Sequence, residues 1–370
     1  MCDIYREITN TDWLTRLGDS FWGAILGIVL FFGSFGILYA NEVRVDLSQV
    51  AKTSIEISAT TRNPTAQSHL VSLTGAIASD QLLGDNLFLK PGKYIAVTRD
   101  VEMFAWEENT HTKTKINKDG SETKTTEYRY RKRWVDRPED SDKFHYSAGH
   151  TNPVKLIQND LFKVANAKIG IYNLEMYSVD VTTPNQVLLN DKTVILKDQK
   201  VQIQGNYLYQ GKNAIANPEI GDLRLQYFTL DRGQNVTVLG KLDRGDRIVP
   251  YIDKSNTKLY RIFLGNRAES ISTLKTEHNT LTWIMRSVGF IIMWLGLALA
   301  SEPISVFLDF MPFLGSISRE FITGASLVVS LILSVVTILV SIFLHNIGVL
   351  AIVILAIIAA GLLVRKAIFD

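Results

Sequence analysis

Apolar residues are concentrated in four runs that carry no charged side chain, at 21–40, 287–301, 321–344 and 347–364. A helix needs about 20 apolar residues to cross the hydrocarbon core of a bilayer. The first and third runs reach that length. The second reaches it when it starts near residue 280 and takes in Arg286. The fourth is slightly short, but Arg365 and Lys366 follow it and can extend to the interface. The pattern predicts membrane helices at 21–40, 280–301, 321–344 and 347–364.

The segment before the first run does not have the composition of a secretory leader. A signal peptide has a basic leader and a short apolar core. Here residues 1–20 contain four acidic and two basic side chains, and the apolar run is too long. We therefore interpret 21–40 as an uncleaved anchor, preceded by a short N-terminal segment and balanced by a short C-terminal tail at 365–370.

The polar bulk of the chain, residues 41–279, has the pattern of a β-rich domain. Runs of β-branched and aromatic residues at 69–77, 93–106, 236–242 and 258–265 predict strands. One stretch differs: apolar residues at three- and four-residue spacings predict a helix at 153–174, with Asn152 as its N-cap and Pro153 in its first turn. The predicted fold class is an α+β membrane protein. One N-terminal and about three C-terminal transmembrane helices flank a β-rich domain inserted between the first and second.

The segment 302–320 joins the second and third apolar runs. It is too apolar for an ordinary loop and is interrupted by Pro303, Pro312 and Gly315. This composition favours an interfacial amphipathic segment. The alternative is an N-terminal extension of the third membrane helix.

Residues 101–134 alternate between aromatic and charged side chains, which predicts a long hairpin. A strand places alternate side chains on opposite faces. A three-residue loop at 118–120, with Gly120 in a left-handed conformation, pairs Phe104 with Trp134 and Glu107 with Arg131. A two-residue loop would shift the register by one and turn one strand face over. The three-residue loop is the prediction, because it matches aromatic with aromatic and Glu with Arg.

Charge and cysteine content narrow the classes of function. A net charge of +2 gives no general attraction to nucleic acid, and the pairing above separates the aromatic from the basic residues. The single cysteine, Cys2, lies outside the domain, so disulfides do not stabilise it. Basic residues flank both ends of the helices almost equally, so the charge bias favours cytosolic termini only weakly.

Few residues of the sequence are candidates for catalysis or metal binding. The five-residue spacing of His145 and His150 fits neither one helix face nor one strand face, and no catalytic or nucleotide-binding signature is present. We expect no enzyme activity, cofactor or metal. For Arg286 two interpretations remain: a position at headgroup level beside lipid phosphate, or a contact with a partner helix or a specific lipid.

Several motifs together resemble one family. In order they are "LYANE" (38–42), "VEMFAWEE" (101–108), "YRYRKRW" (128–134), "GHTNP" (149–153), "NPEIGDLRLQYF" (217–228) and "TWIMRSVGFIIMWLGL" (282–297). This chain resembles the transmembrane protein 43 family, also called LUMA, over nearly its whole length. The single cysteine and the divergent soluble stretches indicate a prokaryotic or otherwise divergent member. The motifs and the hairpin contribute the following candidate structural or interaction residues: Phe104, Trp106, Tyr128, Tyr130, Trp134, Gly149, Asn152, Pro153, Gly221, Asp222 and Arg286.

The resemblance implies a multi-pass protein of internal membranes with an extracytoplasmic domain and cytosolic termini. The compartment is the inner membrane in a prokaryote, or the endoplasmic reticulum and inner nuclear membrane in a eukaryote. We expect a non-enzymatic organiser or scaffold that contacts the lipid bilayer, self-associates and binds other membrane or envelope proteins, with no nucleic acid. The alternatives are a lipid- or ligand-sensing module and an unrecognised envelope hydrolase.

Overall fold

The structure, a computed structural model, describes residues 3–117, 119–195, 201–211, 214–309 and 315–345. These residues fold as two compact units. The domain unit contains residues 3–6, 46–111 and 126–275. The helical unit contains residues 7–45, 112–125 and the described residues from 276 onwards.

Five α-helices are present in the described residues: α1 Trp13–Glu42, α2 Leu47–Lys52, α3 Arg267–Ala300, α4 Glu302–Asp309 and α5 Gly315–His345. Three helical segments are long and apolar enough to cross a membrane, within Trp13–Lys52, Arg267–Ala300 and Glu320–Leu344. They coincide with the first three predicted spans. The fourth predicted span, 347–364, lies outside the described residues. The predicted α+β membrane architecture is thereby confirmed.

Helix α1 packs through small residues. Asp12 caps its first turn by accepting a hydrogen bond from the Thr15 backbone N–H at 3.2 Å. The buried residues Ser20, Gly27 and Ser34 follow at seven-residue intervals and lie on one face. A Cβ at Gly27 would lie 2.5 Å from the Ala300 backbone nitrogen of α3. Small residues of this kind let membrane helices approach backbone to backbone.

Eighteen strands lie in the described residues: β1 Asp3–Thr11, β2 Ile55–Ile57, β3 Leu70–Ala78, β4 Tyr94–Ile116, β5 Glu122–Val135, β6 Asp160–Lys163, β7 Asn166–Ile169, β8 Tyr172–Glu175, β9 Asp180–Val181, β10 Asn185–Gln186, β11 Val201–Gln204, β12 Tyr207–Gln210, β13 Leu223–Asp231, β14 Asn235–Asp243, β15 Arg247–Val249, β16 Tyr251–Ile252, β17 Lys258–Leu259 and β18 Arg261–Leu264.

The first large sheet has the order β1-β5-β4-β13-β12-β11, with β10 added to β13 and β6 added to β4. Strands β4 and β13 are antiparallel, and Val101 lies opposite Leu225. One apolar cluster on this sheet includes the buried side chains of Val97, Val101 and Leu208. Strand β4 continues beyond this cluster into the hairpin with β5.

The second large sheet closes on itself. Strand β3 pairs with β7, β7 with β8, β8 with β15, β15 with β14, and β14 with β3 again. The other members are β2, β9 and β18. The interior is filled by buried apolar residues such as Leu73, Ile169 and Tyr172. Burial of these side chains therefore stabilises the domain without any disulfide.

The helix predicted at 153–174 is wrong. The same residues form β6, β7 and β8, preceded by an extended loop from Asn152 to Asn159. Gly170 turns β7 into β8 with a φ of +56°, and Val164 N–H donates to the Ile95 carbonyl at 3.0 Å. Apolar residues at helical spacing are here divided among short strands whose side chains, such as Ile169 and Tyr172, pack into the core, and this packing overrides the local pattern.

The segment 302–320 divides in two. Residues 302–309 form α4, a separate short helix, and residues 315–320 belong to the start of α5. Ile304 and Phe307 of α4 are exposed, whereas Val306 and Asp309 are buried. The first half therefore has the amphipathic character expected of an interfacial helix, and the second half extends the third membrane helix.

We expect Gly27→Ala to destabilise the helical unit by about 1–3 kcal/mol, because the added methyl overpacks a backbone contact. The control is Gly18→Ala, on the same helix with no atom within 4 Å of the added Cβ. Thermal unfolding of the full chain in detergent measures both variants. Equal unfolding temperatures would contradict close packing at Gly27.

Candidate functional site

The long hairpin closes as predicted. Asn117 N–H donates to the Ser121 carbonyl at 2.8 Å, and Gly120 has a φ of +79°. The ring centroids of Phe104 and Trp134 lie 5.3 Å apart. This three-residue closure confirms the predicted register, and with it the separation of an aromatic face from a charged face.

The charged face carries arginines that lie beside glutamates of the same face. Arg131 Nε lies 3.1 Å and Arg133 Nη1 lies 3.3 Å from Glu107 Oε2. Arg129 donates to Glu127 at 2.8 Å, and hydrogen bonds from Arg129 and Arg6 lower the pKa of Glu127 to about 2. Ion pairing within the sheet thus accounts for much of the basic run.

The aromatic face encloses a buried tyrosine. The Tyr130 hydroxyl donates to Glu108 Oε2 and accepts from the Tyr146 N–H at 2.9 Å. Glu108 Oε2 also accepts from the His145 N–H at 2.7 Å. Burial, and then the contact with Glu108, raises the pKa of the Tyr130 phenol. The phenol is therefore held neutral as a hydrogen-bond donor.

The two histidines of this region occupy separate aromatic stacks. His145 stacks on Tyr128 with centroids 4.0 Å apart, and His150 stacks on Tyr130 at the same distance. His150 Nδ1 lies 2.9 Å from the Tyr146 carbonyl, and Nε2 lies 3.2 Å from Asp3 Oδ2. Throughout the described parts of the chain, no group of three or more metal-ligating side chains is found.

Asn152 does not cap a helix. Its side-chain amide instead pairs with both backbone groups of one residue in strand β4. Its Oδ1 accepts from the Trp106 N–H at 2.7 Å, and its Nδ2 donates to the Trp106 carbonyl at 2.9 Å. A second donation from Nδ2 reaches the Glu139 carbonyl at 3.0 Å. The amide thus replaces a neighbouring strand at this point, after a turn in which Gly149 has a φ of +82°.

Gly221 and Asp222 lie on the same edge of this strand as Asn152, because the backbone groups of Phe104 and Trp106, two residues apart, point to one side. Gly221 N–H donates to the Phe104 carbonyl at 2.9 Å, and Phe104 N–H donates to the Asp222 carbonyl at 2.8 Å. Gly221 has a φ of +96°, and a Cβ there would lie 2.9 Å from Pro153 Cγ. The sequence-predicted residues of the domain therefore converge on the base of the hairpin. Arg286 belongs to the helical unit instead.

Lys155 is a site residue that the sequence did not reveal. Its side chain is buried, and Nζ donates to the Val101 carbonyl at 2.5 Å, the Asp136 carbonyl at 2.7 Å and Asn159 Oδ1 at 3.3 Å. Burial lowers the pKa of this amine. The residues on either side, Val154 and Leu156, are 82% and 86% exposed. In the sequence, Lys155 stands between two apolar residues, and as a strand-like alternation this could have indicated that it faces the opposite side from them. The predicted helix over 153–174 led away from that interpretation.

Two further features of the domain were missed because each includes partners that are distant in sequence. Buried Asp85 accepts three backbone N–H groups of residues 87–89 at 2.8–2.9 Å, and it also contacts Arg99 at 3.2 Å and the Tyr227 hydroxyl. At the N-terminus, Tyr5 stacks on Tyr146 with centroids 4.5 Å apart. Both features fasten loops or termini to the sheets.

Within the helical unit, Arg286 forms an internal ion pair. Its Nε and Nη2 each lie 2.8 Å from a carboxylate oxygen of Glu42 on α1, and its guanidinium lies 5.0 Å from the Trp283 ring centroid. Asn41 Nδ2 also donates to the Thr282 carbonyl at 3.2 Å. A bidentate pair of this geometry joins α1 to α3, so the partner of Arg286 is a helix of the same chain.

These observations define an integral membrane protein with apolar helices and a large, disulfide-free β-rich domain. The family model for Transmembrane protein 43 matches residues 103–347, and the chain belongs to that family. It is 27% identical to Transmembrane protein 43 of Homo sapiens over 83% of this chain and 80% of the relative. For the Mus musculus protein the identity is 27%, over 81% and 78%. The Drosophila melanogaster homolog is 25% identical over 80% and 81%. No solved structure matches the chain.

We expect Asn152→Ala to destabilise the domain by about 2 kcal/mol, because it leaves the backbone groups of Trp106 without their partners. Asn109→Ala, at an exposed strand position, is the matched control. Chemical unfolding of the full chain followed by tryptophan fluorescence measures both. A loss of stability in Asn109→Ala as large as in Asn152→Ala would contradict the bracketing role.

Proposed function

We propose that this protein is a non-enzymatic membrane organiser, and that its domain binds protein partners through the loop 153–156. The observation that carries this proposal is the pair of exposed apolar side chains, Val154 and Leu156, on either side of buried Lys155. Three hydrogen bonds hold the ammonium group, so the loop is anchored to the domain before a partner binds. A rigid loop that presents two apolar side chains loses little entropy when it binds a partner.

The polar clusters of the domain support a structural role in preference to catalysis. Tyr130, Glu108 and His150 are engaged with one another, with ring stacks and with backbone groups. Asp85 is saturated by backbone N–H groups and Arg99. Groups held in this way stabilise the fold, because a buried polar atom without a partner is costly.

Self-association through the helices has support on α1. Gly33, Gly36 and Ala40 are exposed and lie at spacings that place them on one helix face. Nothing in the described chain lies within 4 Å of a Cβ placed at Gly33 or Gly36. An exposed face of small residues permits close packing of a second membrane helix.

The alternative, a lipid- or ligand-sensing module, retains one supporting observation. Exposed Ile304 and Phe307 on α4 have the arrangement of an interfacial helix. The pairing of Arg286 with Glu42 favours an internal role for that arginine over lipid binding. We therefore place the organiser first.

We further propose that the domain is extracytoplasmic and that the N-terminal segment lies on the same side of the membrane as the domain. The sequence favoured a cytosolic N-terminus, across the membrane from the domain. Contacts of Asp3 with His150, Tyr5 with Tyr146 and Arg6 with Glu127 support the revised position, because each joins the N-terminal segment to the domain.

A photo-crosslinking residue at Leu156 tests the organiser function in native membranes. We expect a discrete protein adduct at position 156 and none at Leu188, which is also exposed on the domain. Val154→Ser should lower the yield of the adduct about fivefold, which corresponds to the loss of about 1 kcal/mol of binding energy. Equal labelling at 156 and 188 would count against a specific docking loop.

The single cysteine provides the test of sidedness. In sealed vesicles we expect an impermeant maleimide to label Cys2 from the same side as Lys254→Cys in a Cys2→Ser chain, because Lys254 is an exposed residue of the domain. Labelling of the two cysteines from opposite sides would refute the proposed position of the N-terminus.

A further inference from the structure

Four arginines share two glutamates on the charged face of the hairpin, within the domain unit. The arginines are Arg6, Arg129, Arg131 and Arg133. Glu127 lies 2.5 Å from the first and 2.8 Å from the second, and Glu107 lies 3.1 Å and 3.3 Å from the other two. Four positive charges against two negative charges leave this group with an excess of two positive charges.

The positive groups of this face extend further into solvent than the negative groups. The four arginine side chains are 50–61% exposed, whereas the two glutamate side chains are only 17–20% exposed. An anion that approaches the face therefore meets guanidinium groups before it meets a carboxylate. The planar fork of N–H donors on a guanidinium group matches the oxygens of a phosphate.

A depression of about 390 Å³ opens on the charged face between β4 and β5. It is lined by Asn109, Thr110 and His111 of β4 and by Arg129 and Arg131 of β5. Each of these side chains carries a hydrogen-bond donor, and none of them is acidic. The depression is therefore suited to an anion with several oxygen acceptors, such as a phosphate group.

An exposed apolar side chain lies on the same face. Alternate residues of a strand point to the same side, so Ile4 shares the side of Arg6 on β1. The side chain of Ile4 is 55% exposed. Basic residues beside an exposed apolar side chain suit a membrane surface, because the charges meet headgroup phosphates and the apolar group enters the interface.

The chain also keeps this face close to a bilayer. Strand β1 ends at Thr11 and the apolar helix α1 begins at Trp13, so even a fully extended chain holds Ile4 within about 30 Å of the start of α1. A tethered partner acts at a high effective concentration, and a soluble anion has no such advantage. Among sources of phosphate, the observations thus favour the lipid headgroup.

We propose that the charged face of the hairpin binds anionic phospholipid. The headgroup phosphate occupies the depression between Arg129 and Arg131, and Ile4 lies against the interface. This contact goes beyond the docking loop at 153–156, because it gives the domain a second, charge-dependent attachment to the membrane. Attraction between exposed charges is screened by salt, so the attachment weakens as ionic strength rises.

Quenching by lipid measures the contact in the full chain. A Cys2→Ser/Ile4→Cys chain carries a fluorescent label at residue 4 and is reconstituted into nanodiscs that contain a nitroxide on the lipid headgroup. We expect quenching at least about threefold stronger in an equal mixture of phosphatidylglycerol and phosphatidylcholine than in phosphatidylcholine alone, because basic residues are attracted to anionic lipid. A label on Lys254→Cys, elsewhere on the domain, should be quenched equally in both.

A double variant, Arg129→Gln/Arg131→Gln, should reduce the quenching at residue 4 to the value in phosphatidylcholine. Each glutamate keeps one arginine in this variant, either Arg6 or Arg133, so we expect its unfolding temperature to match that of the parent chain. The matched control is Arg62→Gln/Arg137→Gln, which removes the same charge from exposed positions elsewhere on the domain and should leave the quenching unchanged.

Equal quenching of the label at residue 4 in the two lipid compositions would overturn the proposal. An equal loss of quenching in the control variant would do so as well, because it would show attraction by net charge alone. Loss of quenching with inorganic phosphate or polyglutamate, but not with chloride at the same ionic strength, would assign the site to free phosphate or an acidic protein instead. The adduct at Leu156 tests the organiser function separately.

Discussion

The left-handed conformation of Gly120 is the constraint on which the candidate site depends. It permits a three-residue closure of the hairpin, and the length of that closure fixes the register of β4 against β5. A shift by one residue would turn a strand over and bring arginine side chains to the position of buried Tyr130. The stacks of His145 and His150 and the bracket of Asn152 around Trp106 all require the observed register.

Features that depend on local pattern were predictable from the sequence. Charge-free apolar runs predicted the described membrane helices, runs of β-branched and aromatic residues predicted β3 and β14, and alternation predicted the hairpin with its register. The helix at 153–174 failed because its spacing also fits three short strands. Whether such a segment folds as helix or strand is decided by distant partners such as the Ile95 carbonyl, which no local pattern contains.

The missed parts of the candidate site share a physical cause. Lys155, Asp85 and the N-terminal strand each have partners far away in sequence: Lys155 bonds to Asp136, Asp85 to Arg99, and Asp3 to His150. Charged residues are usually exposed and apolar residues usually buried, but here a buried lysine lies between two exposed apolar residues. Its burial is tolerated because three oxygen acceptors replace the water around the ammonium group. The periodicity of the sequence cannot indicate where such acceptors lie.

The docked N-terminal residues change how the membrane crossings are counted. A hydropathy plot counts α1 as one crossing, and each crossing inverts the side on which the following segment lies. Residues 3–6 and residues 46–111 belong to the same compact unit, so the proposed sidedness requires an even number of crossings between them. Helix α1 is one unbroken helix of 30 residues, so on the proposed sidedness it does not count as a crossing, although its length and composition would allow one. A tag fused to the N-terminus would then report the compartment of the domain.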